Sequence, residues 1–186
     1  MKHSMNRRKF LSSFAQATTA GIITTALPSI SQAALPLTYE KTLKLRNLHT
    51  NERLTATYSK DGIYDPAALA DINAIMRDHR ADETAEMSLQ LLDMLSLLQD
   101  CCGNQRELQI ISAYRSPRTN EQLRKNSSGV AKKSLHMQGK AIDIRVSGVA
   151  LNEVRQHARR LKAGGVGYYP ESGFIHVDTG RVRYWG

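Results

Sequence analysis

The sequence predicts an α+β fold in which helices pack against a central antiparallel sheet. Three observations lead there. Runs that alternate apolar and polar residues fall in hairpin-like pairs near both ends of the folded part of the chain. Between them, several stretches carry apolar residues at helical spacing. Strand-type and helix-type segments also come in mixed order, not as the regular alternation that builds a parallel sheet. No segment repeats and none is of low complexity.

Taken in order, residues 42–47 and 53–58 alternate, and the turn-like His49-Thr50-Asn51-Glu52 between them predicts a hairpin. Asp65-Pro66 is an N-cap followed by a first-turn proline, and Leu69, Ile72, Ile75 and Met76 then lie along one helix face. A second helix is expected near 84–101, with Met87, Leu91, Met94, Leu95 and Leu98 as its apolar stripe. A β-type run at 108–114 ends at Arg115-Ser116-Pro117, and a short helix follows from Thr119 to Lys125. After the polar loop 126–129 and the pair Lys132-Lys133, residues 141–146 are strand-like. An amphipathic helix at 150–162 stops at Gly164-Gly165, and 166–169 with 174–178 form a closing hairpin.

The first 33 residues stand apart. They contain Lys2, Arg7, Arg8 and Lys9 and no acid. Arg7-Arg8-Lys9-Phe10-Leu11 precedes a mildly apolar Ala/Thr/Ile run, Pro28 ends it, and Ser31-Gln32-Ala33 has the small-x-small pattern of a leader-peptidase site. The paired arginines are the twin-arginine form of an export signal, used for proteins that cross a membrane already folded. The expectation is therefore a signal at 1–33, a single domain at 34–186, and a periplasmic location. Losing the leader takes the formal charge from +9 to +5. The remaining excess favours a polyanionic partner. Nothing resembles a nucleic-acid module, and no spanning helix is expected once the leader is gone. Cys101 and Cys102, the only cysteines, are adjacent and read as partly buried thiols at a helix end, since a vicinal disulfide needs strained geometry. No amphipathic stripe is left without an intramolecular role, so a monomer is expected.

Of six histidines, His3 lies in the leader, His49 in a turn, and His79 and His157 on polar helix faces. His136 and His176 are different. His136 precedes Gly139 and the strand that holds Asp143 between Ile142 and Ile144, and His176 sits in the equally apolar Phe174-Ile175-His176-Val177-Asp178. A carboxylate in such a strand is costly unless it is paired or bound to a metal. Two histidines and one aspartate are a donor set suited to Zn²⁺, with a fourth position left for water. A core Asp–His pair is the other reading of the same residues.

His136-x-x-Gly139-x-Ala141-x-Asp143 followed by a strand histidine, His176, resembles the zinc peptidases of the D-alanyl-D-alanine carboxypeptidase group. That group shares its fold with lysostaphin-type enzymes and the hedgehog domain. The twin-arginine leader, residues 48–50, 112–116, 129–134, 163–170 and 174–180 together look like the murein endopeptidase K branch, over nearly the whole mature chain. The resemblance implies one zinc ion per chain on His136, Asp143 and His176. It further implies hydrolysis of peptidoglycan stem-peptide crosslinks, between diaminopimelate residues or between D-alanine and diaminopimelate. Arg115 matches the arginine that stabilises the oxyanion, and Ser134 matches a substrate-contacting serine. The general base breaks the pattern: related enzymes place an acid three residues before the last ligand, or a histidine two before it, and here those positions are Gly173 and Phe174. Asp178 is the first candidate for that role, because i and i+2 on a strand share a face. Glu171 in the preceding loop is the second. Asp178 is also open to the reading of a partner that orients a ligand histidine. Lys132, Lys133 and Arg145 flank the site, where stem-peptide carboxylates would lie. The competing readings are a D,D- or L,D-carboxypeptidase that trims stems, and a peptidoglycan-binding module without catalysis.

Overall fold

The computed structural model describes residues 39–103, 106–127 and 129–186, so the export signal read at 1–33 lies outside the described residues. Glu40–Asn47 (β1) and Arg53–Lys60 (β2) form the first hairpin. Asn47 holds its turn by accepting from the backbone N–H of His49 at 2.9 Å, and Asn51 takes the left-handed conformation (φ 61°) that asparagine tolerates. A two-residue strand, Ile63–Tyr64 (β3), pairs with β2. Asp65 then caps Pro66–Ile75 (α1), accepting from the N–H groups of Ala67 and Ala68.

The second helix, Leu89–Cys101 (α2), starts later than its periodicity suggests. The residues before it are committed elsewhere: the N–H of Met87 donates to Asn73 Oδ1 and that of Ser88 to the carbonyl of Gly139. Backbone groups held by distant partners are unavailable to a helix ladder. Leu108–Ser112 (β4), Pro117–Asn126 (α3), Ala141–Val146 (β5), Leu151–Leu161 (α4), Gly165–Tyr169 (β6) and Phe174–Asp178 (β7) follow close to expectation. Arg183–Trp185 (β8) and a 3₁₀ turn at Leu135–Gln138 have no counterpart in the sequence reading.

All eight strands join one sheet in the order β3-β2-β1-β4-β5-β7-β6-β8. The fold is α+β as expected, but the sheet is mixed and not antiparallel throughout: β1 pairs with β4 and β6 with β8 in parallel. The reason lies in the connections. Two helices intervene between β2 and β4, so the chain returns on the free edge of β1 in the same direction as β1. β8 likewise adds to the outer edge of β6 after the β6–β7 hairpin.

One sheet face is covered. Leu43 and Leu45 of β1, Tyr58 of β2, Leu108 and Ile110 of β4, Ile142 and Ile144 of β5, and Ile175 and Val177 of β7 are buried in one core with Leu91, Leu95 and Leu98 of α2 and Val154 of α4. The opposite face carries the alternate residues of each strand and, among the described residues, meets the 3₁₀ turn at β5. Cys101 is exposed and Cys102 buried, both as free thiols, and burial pushes the Cys102 thiol up to about 11. His79 lies beyond the end of α1 and stacks on His49 at 4.0 Å, instead of on a helix face. Among the described residues, no helix is long and apolar enough to cross a membrane.

Candidate metal centre

The 3₁₀ turn owes its place to the residues at its ends. Ser134 Oγ accepts from the N–H of His136 at 3.3 Å and caps the turn. Gly139 ends it at φ 65°, and a Cβ there would stand 2.1 Å from the carbonyl oxygen of Glu86. Only glycine satisfies both demands. The turn thereby sets His136 over β5 and β7, where Asp143 and His176 are paired across the strands.

Three atoms converge. His176 Nδ1 is 2.8 Å from Asp143 Oδ1 and 3.2 Å from His136 Nε2, and His136 Nε2 is 3.4 Å from the same oxygen. The far nitrogen of each ring settles its tautomer. His136 Nδ1 lies 2.7 Å from the carbonyl oxygen of Ala113, which can only accept, so Nδ1 carries the proton and Nε2 presents a lone pair. His176 Nε2 lies 2.9 Å from Asp178 Oδ2. That carboxylate also accepts from the N–H groups of Gly165 and Gly180 and from both terminal nitrogens of Arg183, at 2.7 and 3.0 Å. Nε2 is therefore a donor to Asp178, and Nδ1 is the nitrogen that a cation beside Asp143 would meet. Two ring nitrogens and a carboxylate oxygen facing one another in buried surroundings form a possible metal site.

The electrostatics agree. Burial by itself would raise Asp143, yet the charges and hydrogen bonds of His136 and His176 hold it well below the usual carboxylate range. Asp178 is likewise opposed by burial and held low by His176, Arg183 and the N–H of Gly180. Burial disfavours charge on His176, but the Asp143 and Asp178 carboxylates, which accept from a charged ring, outweigh it and raise its pKa. The anionic surroundings that would hold a proton there are equally those that hold a metal.

The cluster lies in a groove of about 430 Å³ whose walls include Lys133, Ser134, Tyr169 and Phe174. Arg115 forms part of it, 9% exposed, with Nη2 3.7 Å from Asp143 Oδ2 and 3.3 Å from Ser112 Oγ, and with its buried Nε unpartnered among the described residues. Burial lowers its pKa, with Asp143 opposing. His136, Asp143, His176, Arg115 and Ser134 thus all line one groove. Asp178, anticipated first as a base, is fully buried across the His176 ring from the ligand cluster. Glu171 is exposed in the β6–β7 turn and outside the groove lining.

Two contributors escaped the sequence reading. Arg183 neutralises Asp178, and the Trp185 ring sits 5.4 Å from that of His176 while its Nε1 donates to the Tyr169 hydroxyl at 2.9 Å. Their signal was the alternation Gly165-x-Gly167. A Cβ on Gly167 would lie 2.6 Å from the Trp185 ring, and one on Gly165 would meet Asp178 and Arg183 at 2.5–2.6 Å. Glycines two apart on a strand clear a single face.

A buried His–Asp–His cluster lining a groove is a donor set of the kind metal-dependent peptidases carry. A family model described as peptidoglycan L,D-endopeptidase MepK, of the M15 peptidases, matches residues 37–185, and the chain belongs to that family. The chain is 42% identical over 184 residues to the peptidoglycan L,D-endopeptidase MepK of Escherichia coli K12, covering 99% of each protein. The Shigella flexneri protein of the same name matches to the same extent. The probable peptidoglycan L,D-endopeptidase MepK of Haemophilus influenzae is 41% identical over 181 residues, covering 97% of this chain and 95% of that protein.

Proposed function

We propose that this chain is a zinc-dependent murein endopeptidase that hydrolyses peptide crosslinks of peptidoglycan. The observation that carries the reading is the inward convergence of His136 Nε2, Asp143 Oδ1 and His176 Nδ1, separated by 2.8–3.4 Å. A tetrahedral zinc with bonds near 2.0–2.1 Å has ligand–ligand edges of about 3.3 Å. Two of the three observed separations already match, and the shortest needs a small opening. The nitrogen and carboxylate donors are also those zinc accepts, and the second nitrogen of each imidazole is already committed to an acceptor.

Held by His136, Asp143 and His176, zinc would supply Lewis-acid activation of a water molecule and of the scissile carbonyl. The side chains do the rest. Arg115 presents its guanidinium from the groove wall, where charge develops on the carbonyl oxygen; its position is held by Ser112 and Asn120 before substrate arrives. Ser134 accepts from His136 and keeps its own O–H free to donate to a substrate carbonyl. Asp178, held by Arg183, keeps His176 in the Nδ1-ligating tautomer, which favours the orienting role over that of a base. Lys133, on the rim, meets stem-peptide carboxylates.

The test is a digest of purified crosslinked peptidoglycan with and without a zinc chelator, resolved by mass spectrometry. Loss of dimers with gain of monomers of unchanged stem length, abolished by the chelator, is the expected result. Shortened stems with crosslinks intact would make the protein a carboxypeptidase, and no change in a zinc-loaded sample would make it a binding module. The same reading includes export of a 34–186 monomer to the periplasm by the twin-arginine route. It expects an Arg7→Lys, Arg8→Lys variant to stay unprocessed in the cytoplasmic fraction. It also expects the processed protein to sediment as a single copy.

A further inference from the structure

On the face of the sheet opposite the core, one cross-strand row is built of arginines. Arg46 of β1 is directly opposite Arg53 of β2 on one side and Gln109 of β4 on the other, and Gln109 is opposite Arg145 of β5. The intervening residues of these strands, Leu45, Asn47, Leu108, Ile110, Ile144 and Val146, are buried toward the helices, so the row faces away from them. Like charges directly opposite each other destabilise strand pairing. Only Arg53 is neutralised, by Glu107 at 2.9 Å. Arg46 and Arg145 lean on amide oxygens alone, Asn51 Oδ1 and Gln109 Oε1, each at 2.8 Å. Among the described residues neither has an ion pair, and the buried Nε of Arg46 has no hydrogen-bond partner. The amide bonds hold the guanidinium groups in place without cancelling their charge.

The row has an address. Arg145 is two residues beyond the ligand Asp143 on the same strand, hence on the same face and ~7 Å along it. Neighbouring strands are ~4.8 Å apart, so Arg46 stands ~10 Å to the side of Arg145. The row thus runs sideways along the sheet from beside the metal groove, with Arg145 next to the β6–β7 turn at Gly173.

We propose that Arg145 and Arg46 extend the catalytic groove as a docking track for the free carboxylates of the stem peptides that flank the bond being cut. This rests on the peptidoglycan reading above, and it adds the residues that select a carboxylate-bearing substrate. The occupant follows from charge complementarity. Beyond its amide bond, each guanidinium keeps an uncancelled charge and further N–H donors, at Nη1 of Arg46 and at both terminal nitrogens of Arg145, that a carboxylate can accept from.

The experiment measures binding of the zinc-loaded protein to monomeric stem tetrapeptides by calorimetry, with the peptide carboxylates either free or converted to carboxamides. The natural protein is expected to bind the free form about tenfold more tightly, with the preference falling as salt rises. Arg46→Gln with Arg145→Gln removes that preference while zinc content and circular dichroism stay as in the parent. Arg46→Lys with Arg145→Lys restores part of it. If the double glutamine variant is poorly folded, Arg145→Gln alone, with about a threefold loss, decides. Equal affinity for the two peptides, or a preference that survives the glutamine substitutions, overturns the proposal. Turnover of crosslinked dimers is followed in parallel: a preference without turnover refutes the endopeptidase reading and leaves the track standing.

Discussion

His136 and His176 approach one point with opposite nitrogens and opposite kinds of support. His136 is held through Nδ1 by the neutral carbonyl of Ala113, at the end of a turn set by Ser134 and Gly139. His176 is held through Nε2 by a buried carboxylate, itself fixed by Arg183 and two backbone N–H groups. A carbonyl orients a ring, whereas a carboxylate orients it and also raises its basicity. The first support is local, drawn from residues 113–139. The second needs three strands, β6, β7 and β8. The two halves of the site should therefore fail differently.

The largest effect is expected where the halves meet. Asp143→Ala removes the ligand both histidines face, and the protein should lose its metal on dialysis, read as metal content per chain. Retained stoichiometric zinc would show that the cluster is not the metal site. Next comes the carboxylate support: Asp178→Asn should weaken metal affinity by about 10–100-fold. It should also alter the acid limb of stability. Asp178 has a folded pKa below its unfolded value near 4. The stability it contributes is thus full above that value and is lost as pH falls through the lower folded one. Thermal melts between pH 5 and 2 should fall less steeply in the variant than in the parent. Parallel curves would place the acid sensitivity elsewhere.

A smaller effect sharpens the role of β8. Gly167→Ala puts a methyl group where the Trp185 ring now lies, at a cost of about 1–3 kcal/mol. Trp185 is the sole tryptophan in the sequence, so its fluorescence should shift along with a modest drop in metal affinity. An unchanged spectrum would mean that the ring is not held against His176. Smallest is Asp65→Ala on the helix-covered side, which removes the α1 cap and about 1 kcal/mol of stability. It should leave metal binding unchanged, and any loss there would couple regions separated here.

The candidate cluster was legible because polar residues stand out in apolar strands, Asp143 between Ile142 and Ile144 and His176 between Ile175 and Val177, and the motif resemblance joined His136 to them. Hairpins, α1 with its Asp65 cap, β5 and α4 were legible for a similar reason, since alternation, helical spacing and end residues are local properties of a segment. The late start of α2 was not, because Met87 and Ser88 give their N–H groups to residues 14 and 51 positions away.

Local chemistry therefore settled most of the segments that become strands or helices and marked the three side chains of the possible metal site. The direction of Asp178 could not come from there. Spacing of two on a strand says only that His176 and Asp178 share a face, and both a base over the metal and a carboxylate behind the ring satisfy that. The choice was made by Arg183, Gly165 and Gly180, which surround the carboxylate once β6, β7 and β8 are side by side. Strand direction at β1–β4 and β6–β8, and the arginine row across four strands, likewise arise only from pairing between distant segments. A sequence states what each segment can bury or bind. Which groups meet depends on how the segments are laid against one another.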